Sequence, residues 1–387
     1  MSTYEFISVF AFYFGTLLTT VCAGYALASV VAVLISAHRR PVPSPDVNEQ
    51  MRPVSVLKPL HGAEPNLYEN LRGFCQQTYP HYQLIVGVRD PQDPAVAVVQ
   101  RLRGAFPNVC IDLVINTQVY GANLKVSNLL NMLPLVRCEW LVLADSDISV
   151  PTDYLSRVTA PLADPEVGIV TCLYHGVPND GFWSSMGCLF IDDWFAPSVR
   201  LSHVLGSTRF AFGSTIALRH DALQAVGGLE KLRDTLADDY WLGELTRRAG
   251  LRTVLSDLMV GTDVNERGLT GLWAHELRWL RTIRSIAPLG FAMSFVCFTW
   301  PVSLLGLALA PSVFSGVLVA IALGARMLRF FLIRADGPQL MPRYGLLLTP
   351  FRDLLLLFEW AVALTGWQVK WRGQVLHADK NGPIHHR

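Results

Sequence analysis

Charge is scarce in this chain: Asp, Glu, Lys and Arg make up 16% of its 387 residues, against ~25% in an ordinary soluble domain. With a mean hydropathy of +0.33, this excludes a protein that is soluble throughout. Net charge is lacking as well. The 32 basic and 31 acidic side chains leave +1, so no basic field exists to hold nucleic acid. Seven cysteines, an odd number without a Cys-x-x-Cys spacing, argue against a zinc or redox site and fit buried thiols in a reducing compartment. No internal repeat or low-complexity tract occurs.

The apolar residues are concentrated at the two ends. Residues 7–35 carry no charge, a run longer than the ~20 residues a helix needs to cross a bilayer. His38, Arg39 and Arg40 follow it, the reverse of the order in a cleaved secretory signal. The run reads as an uncleaved anchor whose positive flank places residue 40 onward on the cytoplasmic side. Residues 287–310 form a second uncharged stretch, and residues 313–325 a third that runs into Arg326, Arg329 and Arg334, which fits a hairpin returning to the cytoplasm. Residues 345–367 are apolar but include Arg352, Asp353 and Glu359, costly at membrane depth unless buried in protein or paired. Lys370, Arg372, Lys380 and Arg387 favour a cytoplasmic C-terminus. The expected organisation is an anchor at 1–40, a Pro-rich linker at 41–51, a catalytic domain at 52–272, an amphipathic helix at 273–286, membrane or re-entrant segments at 287–367 and a tail at 368–387.

Within 52–272, short apolar strands at 54–57, 83–88, 111–115 and 140–143 alternate with helix-like segments at 67–75 and 94–106. That alternation predicts an α/β domain with a parallel sheet covered by helices, in which chemistry sits just beyond the carboxyl ends of the strands. Those ends carry Lys58, then Asp90 and Asp93, then Asp145 and Asp147. A single acid after a strand is usually a cap or a solvated turn. In Asp145-Ser146-Asp147 an extended backbone would aim both carboxylates at one point, suiting Mg²⁺ or Mn²⁺ completed by substrate phosphate oxygens. Asp238-Asp239 opens a predicted helix closed by Gly250. One of the pair can cap, and the other can serve as a general base. From Trp273 onward, Trp273, Leu277, Leu280, Ile283 and Ala287 fall on one helical face and His275, Arg278, Arg281 and Thr282 on the other, with Trp279 at the border. The helix reads as an interfacial anchor and also as a place where Arg278, helped by Arg281, meets a leaving diphosphate.

The order Asp93, Asp145, Asp239 and the Arg278-Trp279 pair resembles the D, D, D, (Q/R)xxRW pattern of the ceramide glucosyltransferase family, inverting glycosyltransferases with the GT-A fold. Residues 56–60 (VLKPL), 93–95 (DPA), 123–128 (NLKVSN), 227–229 (GGL) and 238–240 (DDY) share in it, and it spans essentially the whole chain. Residues 144–147 (ADSD), 190–197 (FIDDWFAP) and 275–281 (HELRWLR) are similar to the bacterial hopanoid biosynthesis-associated glycosyltransferases, associated with moving N-acetylglucosamine from UDP-GlcNAc to bacteriohopanetetrol. His275 stands where the wider pattern has Gln or Arg, and Ala196 where eukaryotic ceramide enzymes carry His.

The resemblance implies a GT-A domain with a Rossmann-like mixed sheet at the cytoplasmic face of a bacterial inner membrane, moving a sugar from a UDP donor to a lipid hydroxyl. In it Asp239 is the base, Asp145 and Asp147 bind Mg²⁺ or Mn²⁺, and Lys58, Asp90, Asp93, Lys125, Asp145, Arg278, Trp279 and Arg281 bind donor, with Asp90 and Asp93 at the uridine. The alternatives are glucosyl transfer to ceramide, a processive polysaccharide synthase, disfavoured by few membrane segments and by His275, and a non-catalytic donor-binding subunit, disfavoured by the intact acids. Phe182, Trp183, Phe190, Trp194 and Phe195 read either as lipid entry or as core.

Overall fold

A computed structural model describes residues 2–38, 51–179, 181–336, 342, 344–371, 374–378 and 384–385, with side chains up to 369. Most of the expected linker, with Arg39 and Arg40, and Arg372, Lys380 and Arg387 lie outside the described residues. The chain divides into two compact units.

One unit comprises residues 40–175, 207–263 and 381–387 and is built on an eight-stranded sheet. Its strands are β1 Val54–Pro59, β2 Tyr82–Val88, β3 Cys110–Ile115, β4 Trp140–Leu143, β5 Ile148–Ser149, β6 Val167–Pro178, β7 Ile216–Arg219 and β8 Arg252–Val264. They lie in the order β3-β2-β1-β4-β7-β6-β8-β5. β1 runs parallel to β2 and β4, with Val56 opposite both Leu84 and Val142, and β7 turns the sheet antiparallel against β4. The sheet is therefore mixed, and its central strands are mostly apolar because both faces are covered, with Ser55, Lys58 and Gln83 the buried polar exceptions. Alternation assigns the side chains: Val54, Val56, Leu84, Val86 and Val142 pack beneath the Leu67–Cys75 and Ala95–Ala105 helices. Leu57, Ile85, Leu141 and Leu143 pack beneath the Leu124–Met132 helix on the other face. Each such side chain contributes ~1.5–3 kcal/mol. Gly87 on β2 is a requirement of close packing, since a Cβ there would lie 2.2 Å from Asn128 Oδ1 and 2.7 Å from Met132 Sδ. Asn128 Nδ2 in turn donates to the Gly87 carbonyl at 2.8 Å, fixing the helix that carries Lys125.

The other unit comprises residues 1–39, 176–206 and 264–380, so the chain leaves the sheet unit at Gly176 and re-enters it at Ser207. Two of its helices, Thr3–Ala37 and Val313–Asp336, are long and apolar enough to cross a membrane. The 287–310 stretch, expected as one span, is bent by 75° between Pro288–Cys297 and Thr299–Leu309, the geometry of a broken span or a re-entrant loop. Pro301 sits in the first turn of the second helix, where its missing N–H costs nothing, and Asp353 accepts the Trp300 N–H at 3.0 Å. Arg326 and Arg329, expected as cytoplasmic flanking charges, are buried inside their helix and paired with Asp193 and Asp353. They carry no orientation signal. Arg352 and Glu359 of the Gly345–Ala363 helix are likewise buried and paired, which satisfies the condition for charge at such depth. Phe190 and Trp194 are core residues, 1% and 8% exposed, within or beside a π-helical turn at Phe190–Phe195. Phe182 is 43% exposed, so the lipid-entry reading of this aromatic run does not extend to its buried members. The cysteines are free, and Cys22, Cys75, Cys172, Cys188 and Cys297 are buried.

Candidate active site

The sheet unit gathers the expected residues because β2, β1 and β4 are neighbours in the sheet, so their carboxyl ends meet. Lys58 lies within β1 rather than after it and is fully buried. Its Nζ donates to the Asp145 carbonyl and sits 4.0 Å from the centre of the Phe74 ring. Burial pushes its pKa down to about 8 against the opposing pull of Asp147, Asp145, Glu64 and Asp263. An ammonium kept in an apolar wall, and still charged near neutrality, is a fixed point for anionic groups.

Asp145 and Asp147 do not stand on an extended segment. The backbone turns at Ser146-Asp147, and the two carboxylates have different partners: Asp145 Oδ1 meets Lys125 Nζ at 2.7 Å, while Asp147 Oδ2 accepts the Thr262 hydroxyl at 3.1 Å. They remain electrostatic neighbours. Burial, then the charges of Asp145 and Glu64, push the Asp147 carboxyl up to about 7. Ser146 donates to Glu64 at 3.2 Å, and Asp263 binds the Asn66 and Asn70 side chains at 3.2 and 2.8 Å.

Lys125 is the hinge of the arrangement. Asn123 caps its helix through the Lys125 and Val126 N–H groups, which turns Lys125 Nζ toward Asp145 and, at 3.4 Å, Asp238. Burial works to lower this ammonium, but Asp145, Asp238 and Asp239 together raise it above its ordinary value. Asp238, expected as a cap, instead ties two helices together by accepting from Asn123 Nδ2 at 3.1 Å. Asp239 Oδ2 accepts the Gly213 N–H and Oδ1 the Tyr240 N–H, both at 2.8 Å. Burial and then Asp238 push Asp239 up to about 6, against Lys125 and those two N–H donors. Gly213 leaves the space in which these groups converge, since a Cβ there would lie 2.8 Å from Asp145 Oδ2, 3.0 Å from Lys125 Nζ and 3.5 Å from Asp239 Oδ2.

Asp90 and Asp93 have structural partners. Asp90 is exposed and accepts the Gln92 N–H at 2.8 Å, an Asx turn. Asp93 accepts from Gly62 N–H at 3.0 Å through both oxygens and from Ala95 N–H at 2.8 Å, so it opens the Ala95–Ala105 helix and holds the loop after β1. Glu64, Asp263, Thr262 and Gly213 were not singled out from sequence. Glu64 follows a strand, and the rule used for the other acids would have reached it. Asp263 is the last residue but one of β8, a strand the alternation did not reveal.

The formal balance is six carboxylates, Glu64, Asp145, Asp147, Asp238, Asp239 and Asp263, against Lys58 and Lys125. Among the described residues no three His, Cys, Asp or Glu side chains group as a complete metal cage. Asp145 and Asp147 offer two hard oxygen donors in a site with surplus negative charge, the donor set of a divalent ion completed by phosphate.

In the other unit, the Leu269–Ile286 helix buries Leu272, Glu276, Leu280 and Arg284 rather than the apolar face expected from 273 to 287. Its buried face includes charge because Arg352 meets Glu276. His275 Nδ1 pairs with Glu266, and its ring meets Trp279 edge-on at 4.7 Å. Arg281, expected at the diphosphate, donates to the carbonyls of Gln368 and Thr365. Those bonds fasten the helix to the chain after 364. Arg278 is half-buried on the same helix.

The model of the family described as Glycosyl transferase family 21 matches residues 18–384. The chain belongs to Glycosyl transferase family 21. Ceramide glucosyltransferase 1 of Caenorhabditis elegans is 26% identical over 204 residues, 52% of this chain and 44% of that protein. Ceramide glucosyltransferase 3 of the same organism is 22% identical over 348 residues, 86% of this chain and 74% of that protein. The chain thus spans less than half the length of the first and about three quarters of the second. A solved mannosyltransferase from Pyrobaculum calidifontis, in complex with GDP-Man and Mn²⁺, superposes with a TM-score of 0.52 at 18% identity, covering 90% of this chain and 99% of that one. The mixed sheet of this family 21 glycosyltransferase is GT-A-like.

Proposed function

We propose that the chain transfers a sugar from a UDP donor to the hydroxyl of a membrane lipid with inversion, N-acetylglucosamine to bacteriohopanetetrol being the preferred pair. The observation that carries the reaction type is the convergence on Gly213: a carboxylate that suits a metal diphosphate, a lysine, and a second carboxylate raised toward neutrality stand within one side chain's reach. Six carboxylates would repel a diphosphate, so a donor of that charge calls for a divalent ion at Asp145 and Asp147. When bound, the ion supplies charge neutralisation for the leaving diphosphate. Asp239 accepts the proton of the acceptor hydroxyl as its oxygen bonds to the anomeric carbon, and the bond from that carbon to the diphosphate oxygen breaks with its electron pair. Asp238 and Lys125 hold Asp239 at a pKa suited to a base. Arg278 and Trp279 enter this reading through the motif, at the diphosphate and the substrate. Asp90, exposed beyond β2, keeps the uridine role as part of the proposal.

Membrane-length helices in the same chain support an acceptor that stays in the bilayer, with the sheet unit on the cytoplasmic side of a bacterial inner membrane. Glucosyl transfer from UDP-glucose to ceramide is the second reading, favoured by the names of the relatives. The test uses purified protein in vesicles containing either bacteriohopanetetrol or ceramide, with radiolabelled UDP-GlcNAc or UDP-glucose. Label is expected in bacteriohopanetetrol from UDP-GlcNAc, with inverted anomeric configuration by NMR. Label only in ceramide moves the assignment to the second reading, and no labelled lipid in any combination overturns lipid transfer.

A further inference from the structure

Arg352 and Asp353 are consecutive and buried on the Gly345–Ala363 helix, and they serve different partners. Asp353 receives the Arg326 guanidinium at 2.7 and 2.9 Å, and Arg326 and Arg329 also bind Asp193 in the π-helical turn. Arg352 turns to Glu276 and, at 3.4 Å, Glu359. Glu276 belongs to the helix that carries Arg278 and Trp279. The same guanidinium lies 5.5 Å from the centre of the Phe190 ring, and Phe190 packs at 5.5 Å against Trp279. Arg352 therefore reaches Trp279 by two routes, through the backbone of its helix at Glu276 and through the Phe190 ring.

Stability is a poor reason for this cluster. All three charged side chains are buried, at 2%, 3% and 0% exposure for Arg352, Glu276 and Glu359, and well-packed neutral groups often serve the fold as well as a buried ion pair does. Geometry is a better reason. A planar guanidinium donates only along fixed directions, so it sets where a helix and a ring can lie. We propose that Arg352 is a positioning residue for Trp279, placing the indole through Glu276 and Phe190 and thereby setting the rate of sugar transfer. Only the kinetic part rests on the function proposed above.

The test uses the full chain in nanodiscs with 5-fluorotryptophan, the ¹⁹F resonances of Trp279 and Trp140 being assigned with W279F and W140F. R352K, R352M and the neutral triple variant E276Q/R352M/E359Q are compared. The expected result is a shifted or broadened Trp279 resonance in all three with Trp140 unchanged, and a fall in kcat on the order of 10²-fold in the triple variant with donor KM held within about twofold. An unmoved Trp279 resonance in R352M and in the triple variant overturns the proposal. It is also overturned if R352M disturbs both resonances while the triple variant restores both resonances and turnover, which would make the cluster a fold determinant alone. A wild-type protein without transferase activity overturns the proposed function, and the spectra then decide the positioning role by themselves.

Discussion

The two units use the same residue types in opposite ways. In the sheet unit six carboxylates share Lys58 and Lys125, and Asp145 keeps 36% of its side chain exposed. In the helical unit three arginines, Arg326, Arg329 and Arg352, meet four carboxylates, Asp193, Asp353, Glu276 and Glu359, all at most 4% exposed. A surplus of one sign at an accessible strand end is an unfinished arrangement that a ligand can complete; burial first, and then neighbouring carboxylates, raise Asp147 and Asp239 there. Near-balanced, buried pairing leaves little charge for a ligand to neutralise, and it holds elements in place.

Breaking that contrast should have its largest effect in the helical unit. R326M leaves Asp193 and Asp353 short of a buried partner, which costs ~3–5 kcal/mol. The expected outcome is a large loss of thermal stability in detergent, whereas R326M/D353L with D193N should recover part of it; equal stability of R326M and wild type would mean that the network is not closed. A smaller loss, ~1–3 kcal/mol, is expected for G306A, whose Cβ would lie 2.7 Å from Thr19 Cγ2 and 2.8 Å from the Gly15 carbonyl oxygen. Denaturation midpoints check it, and donor binding should be untouched. The smallest effect sharpens the other side. Asp239 must be ionised to accept a proton, so kcat should rise with pH through about 6 and level above it. Because Asp238 raises Asp239, D238N should move that rise to lower pH. A pH–rate profile that does not move removes Asp238 from the tuning of the base.

Much of the sheet could be read in advance, because 54–57, 83–88 and 140–143 are apolar runs that only a doubly covered sheet explains, and β4 falls on the expected residues. The edges were less legible. Lys58 reads as a post-strand charge because a buried lysine has no sequence signal apart from the acids that surround it in space. Spacing alone does not distinguish the Asp145–Asp147 turn from an extended segment, and Asp263 has no local signal because its partners Asn66 and Asn70 are nearly two hundred positions away. In the helical unit, helical periodicity put Glu276 off the buried face. Its burial is decided by Arg352, which no local pattern reports.

The most direct measurement is UDP binding by calorimetry, with and without Mn²⁺, run beside turnover for wild type, D147N and D239N. D147N should lose the Mn²⁺-dependent part of UDP binding together with turnover. D239N should bind UDP as wild type does yet turn over ~10²- to 10⁴-fold more slowly. Equal Mn²⁺-dependent binding in D147N and wild type, or near-normal turnover in D239N, would contradict the division of the site into a diphosphate half and a base.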